Sequence, residues 1–81
     1  MNITVLNLSR QTTTAHLKKF FGAYGFVESC DIVVDKQTGQ SKGFGFVQMP
    51  NEKEANAAIA NLHGAKFGGN IIRVKSANKT L

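Results

Sequence analysis

Cysteine is nearly missing from this chain: Cys30 is the only one in 81 residues. That excludes an internal disulfide and any CxxC metal or redox motif. It makes a reducing compartment the expected setting, a bacterial-like cytoplasm or, in a eukaryote, the nucleus. Proline is as scarce, with Pro50 alone, and no Pro-rich linker, low-complexity stretch or internal repeat interrupts the chain. No apolar run approaches the ~18 residues of a membrane span. The opening Met1-Asn2-Ile3-Thr4-Val5 lacks the charged region and apolar stretch of a secretory leader. Acidic residues are few: 5 Asp plus Glu stand against 10 Lys plus Arg, a formal net charge of +5. Charge of that sign favours phosphate-rich partners and leaves the fold open. A chain of this length is expected to be one domain with a modest core.

Catalytic and metal-binding sets are missing too. His16 sits beside Lys18 and Lys19 in a helical stretch and reads as a surface residue. His63 precedes Gly64, where partial positive charge suits a helix end. Neither has cysteine or carboxylate at metal-ligand spacing, so no metal is expected. Cys30 alternates inward with Ile32, as a buried, inert thiol does. Phe67-Gly68-Gly69-Asn70 is a turn without the lysine and hydroxyl of a phosphate-cradling loop. No nucleophile, base and acid form a set. The reading is a binding protein, with no enzyme activity and no cofactor.

What the chain does contain is the run Lys42-Gly43-Phe44-Gly45-Phe46-Val47-Gln48-Met49. Period-two alternation puts Lys42, Phe44, Phe46 and Gln48 on one face and Gly43, Gly45, Val47 and Met49 on the other. A core-facing strand would not pair two phenylalanines with a lysine and a glutamine. The glycine face allows close approach of another element, which Val47 and Met49 then pack against. The phenylalanines are therefore expected on an exposed face beside a cation, forming a platform for unstacked bases joined by phosphates.

Other elements fall in order around it. Residues 3–8 are short and β-branched, the pattern of a first strand. Thr12 and Thr13 are candidate caps for a helix over residues 14–24, with Leu17, Phe20, Phe21 and Tyr24 on one face and Gly25 as an αL terminator. A second strand covers residues 27–34, with Cys30 and Ile32 alternating against Asp31 and Val33, and residues 35–41 make a projecting hairpin loop. Pro50 stops the third strand. Asn51 and Glu54 form a capping box for a second helix, lined by Ala55, Ala58, Ile59 and Leu62 and ended by Gly64. Residues 71–77 make the last strand, Ile72 and Val74 inward and Arg73 and Lys75 outward. The order βαββαβ predicts an α+β, ferredoxin-like split βαββαβ sandwich, a four-stranded antiparallel sheet with both helices on one face. The other face is left open, and Phe44 and Phe46 lie on it.

The octapeptide at 42–49 resembles the RNP1 signature of the RNA-recognition motif family, departing only at Met49. Residues 3–8 stand where that family carries RNP2, and match it at Ile3, Val5, Asn7 and Leu8. Gly25, the 35–41 loop and the ending Val74-Lys75-Ser76-Ala77 keep the family's register. The resemblance covers residues 2–77, with a single domain over 1–78 and a short tail at 79–81; it is closest in kind to the small bacterial members with one such domain. It implies that Phe46 stacks on a base, that Phe44 packs against sugars between two nucleotides, and that Lys42 contacts phosphate. The RNP2 aromatic does not carry over, since Thr4 occupies its position and threonine cannot stack. Gln48 shares the face, and Arg73 and Lys75 repeat the cation placement of Lys42, with Asn78 and Lys79 as weaker candidates beyond them. Leu6 and Val33 are outward and apolar. Asp31 is outward and acidic; it repels phosphate, and either accepts from a base amino group or is a solvated charge.

The expected partner is single-stranded RNA, bound tolerantly or with modest selectivity by Thr4, Lys42, Phe44, Phe46, Gln48, Arg73 and Lys75, with single-stranded DNA left open and a monomer as the expected state. A competing reading is a protein–protein interaction module on the same fold, suggested by Thr4, Leu6 and Val33. An acylphosphatase-like enzyme of similar topology would need an anion-binding loop with arginine and asparagine, which this chain lacks.

Overall fold

In the computed structural model of the chain, residues 1–76 are described; the expected strand end at Ala77, the candidates Asn78 and Lys79 and the tail at 79–81 lie outside the described residues. Alternating β-branched residues make β1 (Asn2–Leu6) a two-faced strand, with Ile3 and Val5 buried and Thr4 and Leu6 half-buried. Helix α1 (Thr14–Gly22) starts at Thr13, whose hydroxyl accepts from the His16 N–H at 3.2 Å. It buries Leu17 and Phe21, one turn apart. The helix ends earlier than expected, at Gly22, and Gly25 is not an αL terminator: its φ is 159°. A glycine stands there because the Glu54 side chain fills the space a Cβ would take.

Strands β2 (Ser29–Val34) and β3 (Ser41–Gln48) form the hairpin expected around residues 35–41. Asp35 closes the loop, its carboxylate accepting from the Gln37 N–H at 2.8 Å and its carbonyl from the Gly39 N–H at 2.7 Å. Helix α2 (Glu52–Leu62) is capped by Asn51, which accepts from the Glu54 N–H at 3.0 Å. The capping box is only half made. The Glu54 carboxylate accepts instead from the Phe26 N–H at 3.1 Å, tying the start of α2 to the segment entering β2. Gly64, at φ 82°, follows the helix in the left-handed region.

The expected last strand is broken in two. Lys66–Phe67 (β4) and Asn70–Ile71 (β5) pair as a small hairpin across Gly68 and Gly69, both at positive φ. Ile72 leaves the ladder to exchange backbone bonds with Gly64 and Ala65, and the sheet strand β6 runs only from Arg73 to Ser76. The hairpin covers α1: the Phe67 ring stacks on Phe20 with centroids 4.1 Å apart and planes 10° from parallel. The end of α2 is held to β6 by His63, whose Nδ1 lies 3.1 Å from the Val74 nitrogen and 3.0 Å from the Val74 carbonyl oxygen, accepting from the first or donating to the second according to the imidazole tautomer.

The sheet order is β2-β3-β1-β6, every neighbouring pair antiparallel. Ile3, Val5, Val47 and Val74 from one sheet face join Leu17 and Phe21 of α1 and Ala55, Ala58 and Leu62 of α2 in one core. Met49 is fully buried with them, as alternation placed it. Among the described residues no helix is long and apolar enough to cross a membrane.

Candidate nucleic-acid interface

Strand register builds the open face as rows running across the sheet. Asp31 on β2 is opposite Phe46 on β3, Phe46 is opposite Thr4 on β1, and Thr4 is opposite Lys75 on β6. The next row holds Phe44, Leu6 and Arg73; the row on the other side holds Ser29, Gln48 and Asn2. Every one of these side chains is exposed or half-buried, while the alternate positions go to the core. Six of the seven expected residues thus share one lattice of neighbours, with direct cross-strand partners about 5 Å apart at Cβ.

Lys42 is the exception. The β2–β3 register shifts between Ile32 and Val34, and Gly43 adopts φ 86°, so strict alternation holds only from Phe44 onward. Ser41 Oγ fixes the irregularity by accepting from the Gly43 N–H at 3.0 Å. Lys42 is exposed at the end of the face, where it lines a hollow of about 530 Å³ with Leu6, Arg10, Phe44 and Asn70. Gly45 meets the expectation of close approach: a Cβ there would stand 2.5 Å from the Asp31 carbonyl oxygen and 3.2 Å from Ile32 Cα.

The two phenylalanines do not make a single flat platform. Their centroids are 6.1 Å apart and their planes stand at 89°, edge to face. A base lying parallel to one ring meets the other edge-on, so the rings offer two different surfaces. Phe46 is the open one, 44% exposed; Phe44 is half-buried. Gln48 is engaged, its Oε1 accepting from Ser29 Oγ at 3.2 Å.

Arg10 escaped the sequence reading. It lies between β1 and α1, outside any period-two pattern, yet it lines both the hollow by Lys42 and an adjoining one of about 470 Å³ with Asp35, Gln40 and Phe44. A cation shortly after the first strand is the only signal that could have found it. That loop is held by Asn7, at φ 62°, a conformation asparagine tolerates. Its Nδ2 donates to the Ile71 carbonyl at 2.7 Å, and Asn70 Nδ2 returns a bond to the Asn7 carbonyl at 3.2 Å.

Cys30 is half-buried, not fully enclosed, and its Sγ donates weakly to the Thr14 carbonyl at 3.7 Å. Burial first, and then the Asp31 carboxylate, push its pKa up to about 11, while Lys18 pulls the other way. Among the described residues no group of three His, Cys, Asp or Glu could hold a metal ion.

The family described as RNA recognition motif matches residues 3–73. The putative RNA-binding protein RbpA of a Nostoc species is 43% identical over 77 residues, covering 95% of this chain and 76% of its own length. The chloroplastic RNA-binding protein CP31B of Arabidopsis thaliana is also 43% identical over 77 residues, but the chain spans only 27% of that protein. Among solved structures, the crystal structure of RNA binding protein PG1 superposes with a TM-score of 0.92 at 36% identity, covering 100% of this chain and 99% of that one. The Sxl-lethal protein/RNA complex gives 0.90 at 30% identity, over 98% of this chain and 47% of that one.

Proposed function

The chain belongs to the RNA recognition motif family, and from that premise we propose that its open sheet face binds single-stranded RNA. Phe46 stacks on a base, Phe44 lies against the sugars, and Lys42, Arg73 and Lys75 hold phosphates. Thr4 and Gln48 complete the contact surface, and Arg10 adds a fourth cation at the Lys42 end. The observation that carries this reading is the placement of Phe46. A large apolar ring, 44% exposed, stands mid-sheet on the face opposite the one that packs against α1 and α2, with Lys75 at the end of its row. A base attached to phosphates suits both the ring and the cations beside it. The face has room for about two to four nucleotides.

Thr4, at the position where the family resemblance implies a ring, makes the binding weaker than in a three-ring member, or shifts it toward Phe46. Losing one base–aromatic stack is worth about 1–3 kcal/mol. The protein acts as a monomer in a reducing, bacterial-like cytoplasm and catalyses nothing. The deciding experiment is an NMR titration with short RNA and DNA oligomers of the same sequence. Shifts gathered on the amides of β1, β3 and β6 and on the Phe44 and Phe46 rings are expected. Shifts confined to the helices would refute the reading, and saturable response to peptides but not to oligonucleotides would favour the protein-interaction module.

A further inference from the structure

Beside Phe46, on the side away from Lys75, lies a hollow of about 370 Å³ lined by Asn2, Ser29, Asp31, Phe46, Val47 and Gln48. Ligand sites begin at about this size. We propose that this hollow is a base-reading subsite selective for guanine, in which the Asp31 carboxylate accepts from the N1–H and the 2-amino group of a guanine stacked on Phe46. The inference rests on the RNA-binding reading above and adds base selectivity to it.

Position comes first. Asp31 and Phe46 are direct cross-strand partners on the open face. A base covering the Phe46 ring therefore brings one edge over β2, where Asp31 rises from the sheet. The charge order along the row orients the nucleotide. Lys75 stands at one end and Asp31 at the other, three strand spacings or about 14 Å apart. Phosphate is drawn toward the β6 side and repelled from the β2 side, so the base edge, not the backbone, points to Asp31.

Chemistry then selects the base. A carboxylate is a pure acceptor with two oxygens, best matched by two donors side by side. Guanine presents that pair on its Watson–Crick edge. Adenine and cytosine each place one amino donor next to a ring-nitrogen acceptor, whose lone pair would face the second oxygen. Uracil has a single N–H between two carbonyls. Single-stranded RNA exposes these edges for reading.

The carboxylate is also uncommitted: among the described residues no hydrogen bond or ion pair engages it. Ser29 satisfies Gln48 Oε1 at 3.2 Å, which leaves the Gln48 Nε2 amide as a donor for the guanine O6 beside N1–H. Asp31 and Gln48 together would read donor, donor, acceptor along one edge.

The test is fluorescence-anisotropy titration of the whole chain with four pentamers, identical but for a central guanine, inosine, adenine or cytosine among uridines, at one salt concentration. A bidentate contact of this kind discriminates by about 5- to 150-fold, so guanine should bind that much more tightly than adenine. Inosine, which lacks only the 2-amino group, should fall between them. Asp31→Asn should keep binding and lose the guanine preference. Equal binding of all four oligomers by the native chain would overturn the proposal and leave the RNA-binding reading standing. So would an Asp31→Asn variant that binds all four more tightly by one common factor, the mark of a merely repulsive solvated charge. No binding to any oligomer would overturn both readings. The inosine comparison needs no variant: inosine binding as tightly as guanine would overturn the proposal even if Asp31→Asn misfolds.

Discussion

Phe46→Ala separates the binding face from the core more sharply than any other single change. Phe46 is 44% exposed, so a little over half of the side chain is covered in the folded state. Full burial of a phenylalanine contributes about 1.5–3 kcal/mol, and half of that is at stake here. The edge-to-face contact with Phe44 adds about 0.5–1.5 kcal/mol. The variant should therefore lose about 1–3 kcal/mol of stability, well short of the 4–5 kcal/mol that would mark a core cavity. RNA affinity should fall by about 1–3 kcal/mol through loss of the stack, some 5- to 150-fold. Urea unfolding followed by far-UV circular dichroism measures the first quantity, and anisotropy with one short RNA at fixed salt measures the second. A folded variant that binds undiminished would refute the site, and an unfolded one would make Phe46 a core residue.

Three further outcomes follow. Lys42, Arg73 and Lys75 as three phosphate contacts give a log–log slope of affinity against salt of roughly −2, and participation of Arg10 brings it nearer to −3; an unchanged slope in Arg10→Ala would remove Arg10 from the path, and a zero slope would count against RNA altogether. Thr4→Tyr restores a ring opposite Phe46 and should strengthen binding by about 1 kcal/mol, the lower part of the stacking range; equal or weaker binding to the same short RNA would place Thr4 off the path or in a specific hydrogen bond. Cys30, with its pKa pushed up to about 11 from the usual 9.0, keeps its proton longer folded than unfolded. Its stabilising contribution is full below pH 9 and is lost as pH rises through 11, and alkylation of the native thiol should accelerate only toward pH 11. A rate that levels off by pH 9 would contradict that order, and Asp31→Asn should move the profile down.

Most of the fold was legible because periodicity carries it. Leu17 and Phe21 at helical spacing and Ile3, Val5, Val47 and Val74 at strand spacing all reached the core they implied. Two of the misses have a common cause: each depended on a partner distant in sequence. Gly25 looked like a helix terminator, but Glu54, 29 positions on, explains it. Glu54 looked like half of a capping box, but the Phe26 N–H claimed its carboxylate. The hairpin of β4 and β5 was hidden because two-residue strands have no period to read, and Ile71 was drawn into the neighbouring strand pattern. At the site, alternation placed Phe44, Phe46, Gln48, Arg73 and Lys75 on one face. It could neither give the perpendicular setting of the rings nor bring a loop cation, Arg10, to Lys42.

His63, which fastens the end of α2 to Val74, has a consequence for how copies of this domain meet one another. β6 is an outer strand of the sheet, and outer strands present unpaired N–H groups on which a foreign strand can be templated. A domain with one sheet face bare has more reason than most to close its margins, because a stray strand would extend that bare face from copy to copy. At Val74 the margin is occupied by an imidazole nitrogen, 3.1 Å from the backbone nitrogen and 3.0 Å from the carbonyl oxygen that a further strand would have to reach. On the β6 side the face thus ends, at Val74, in a position already taken, so that a strand added alongside would have to displace the imidazole first.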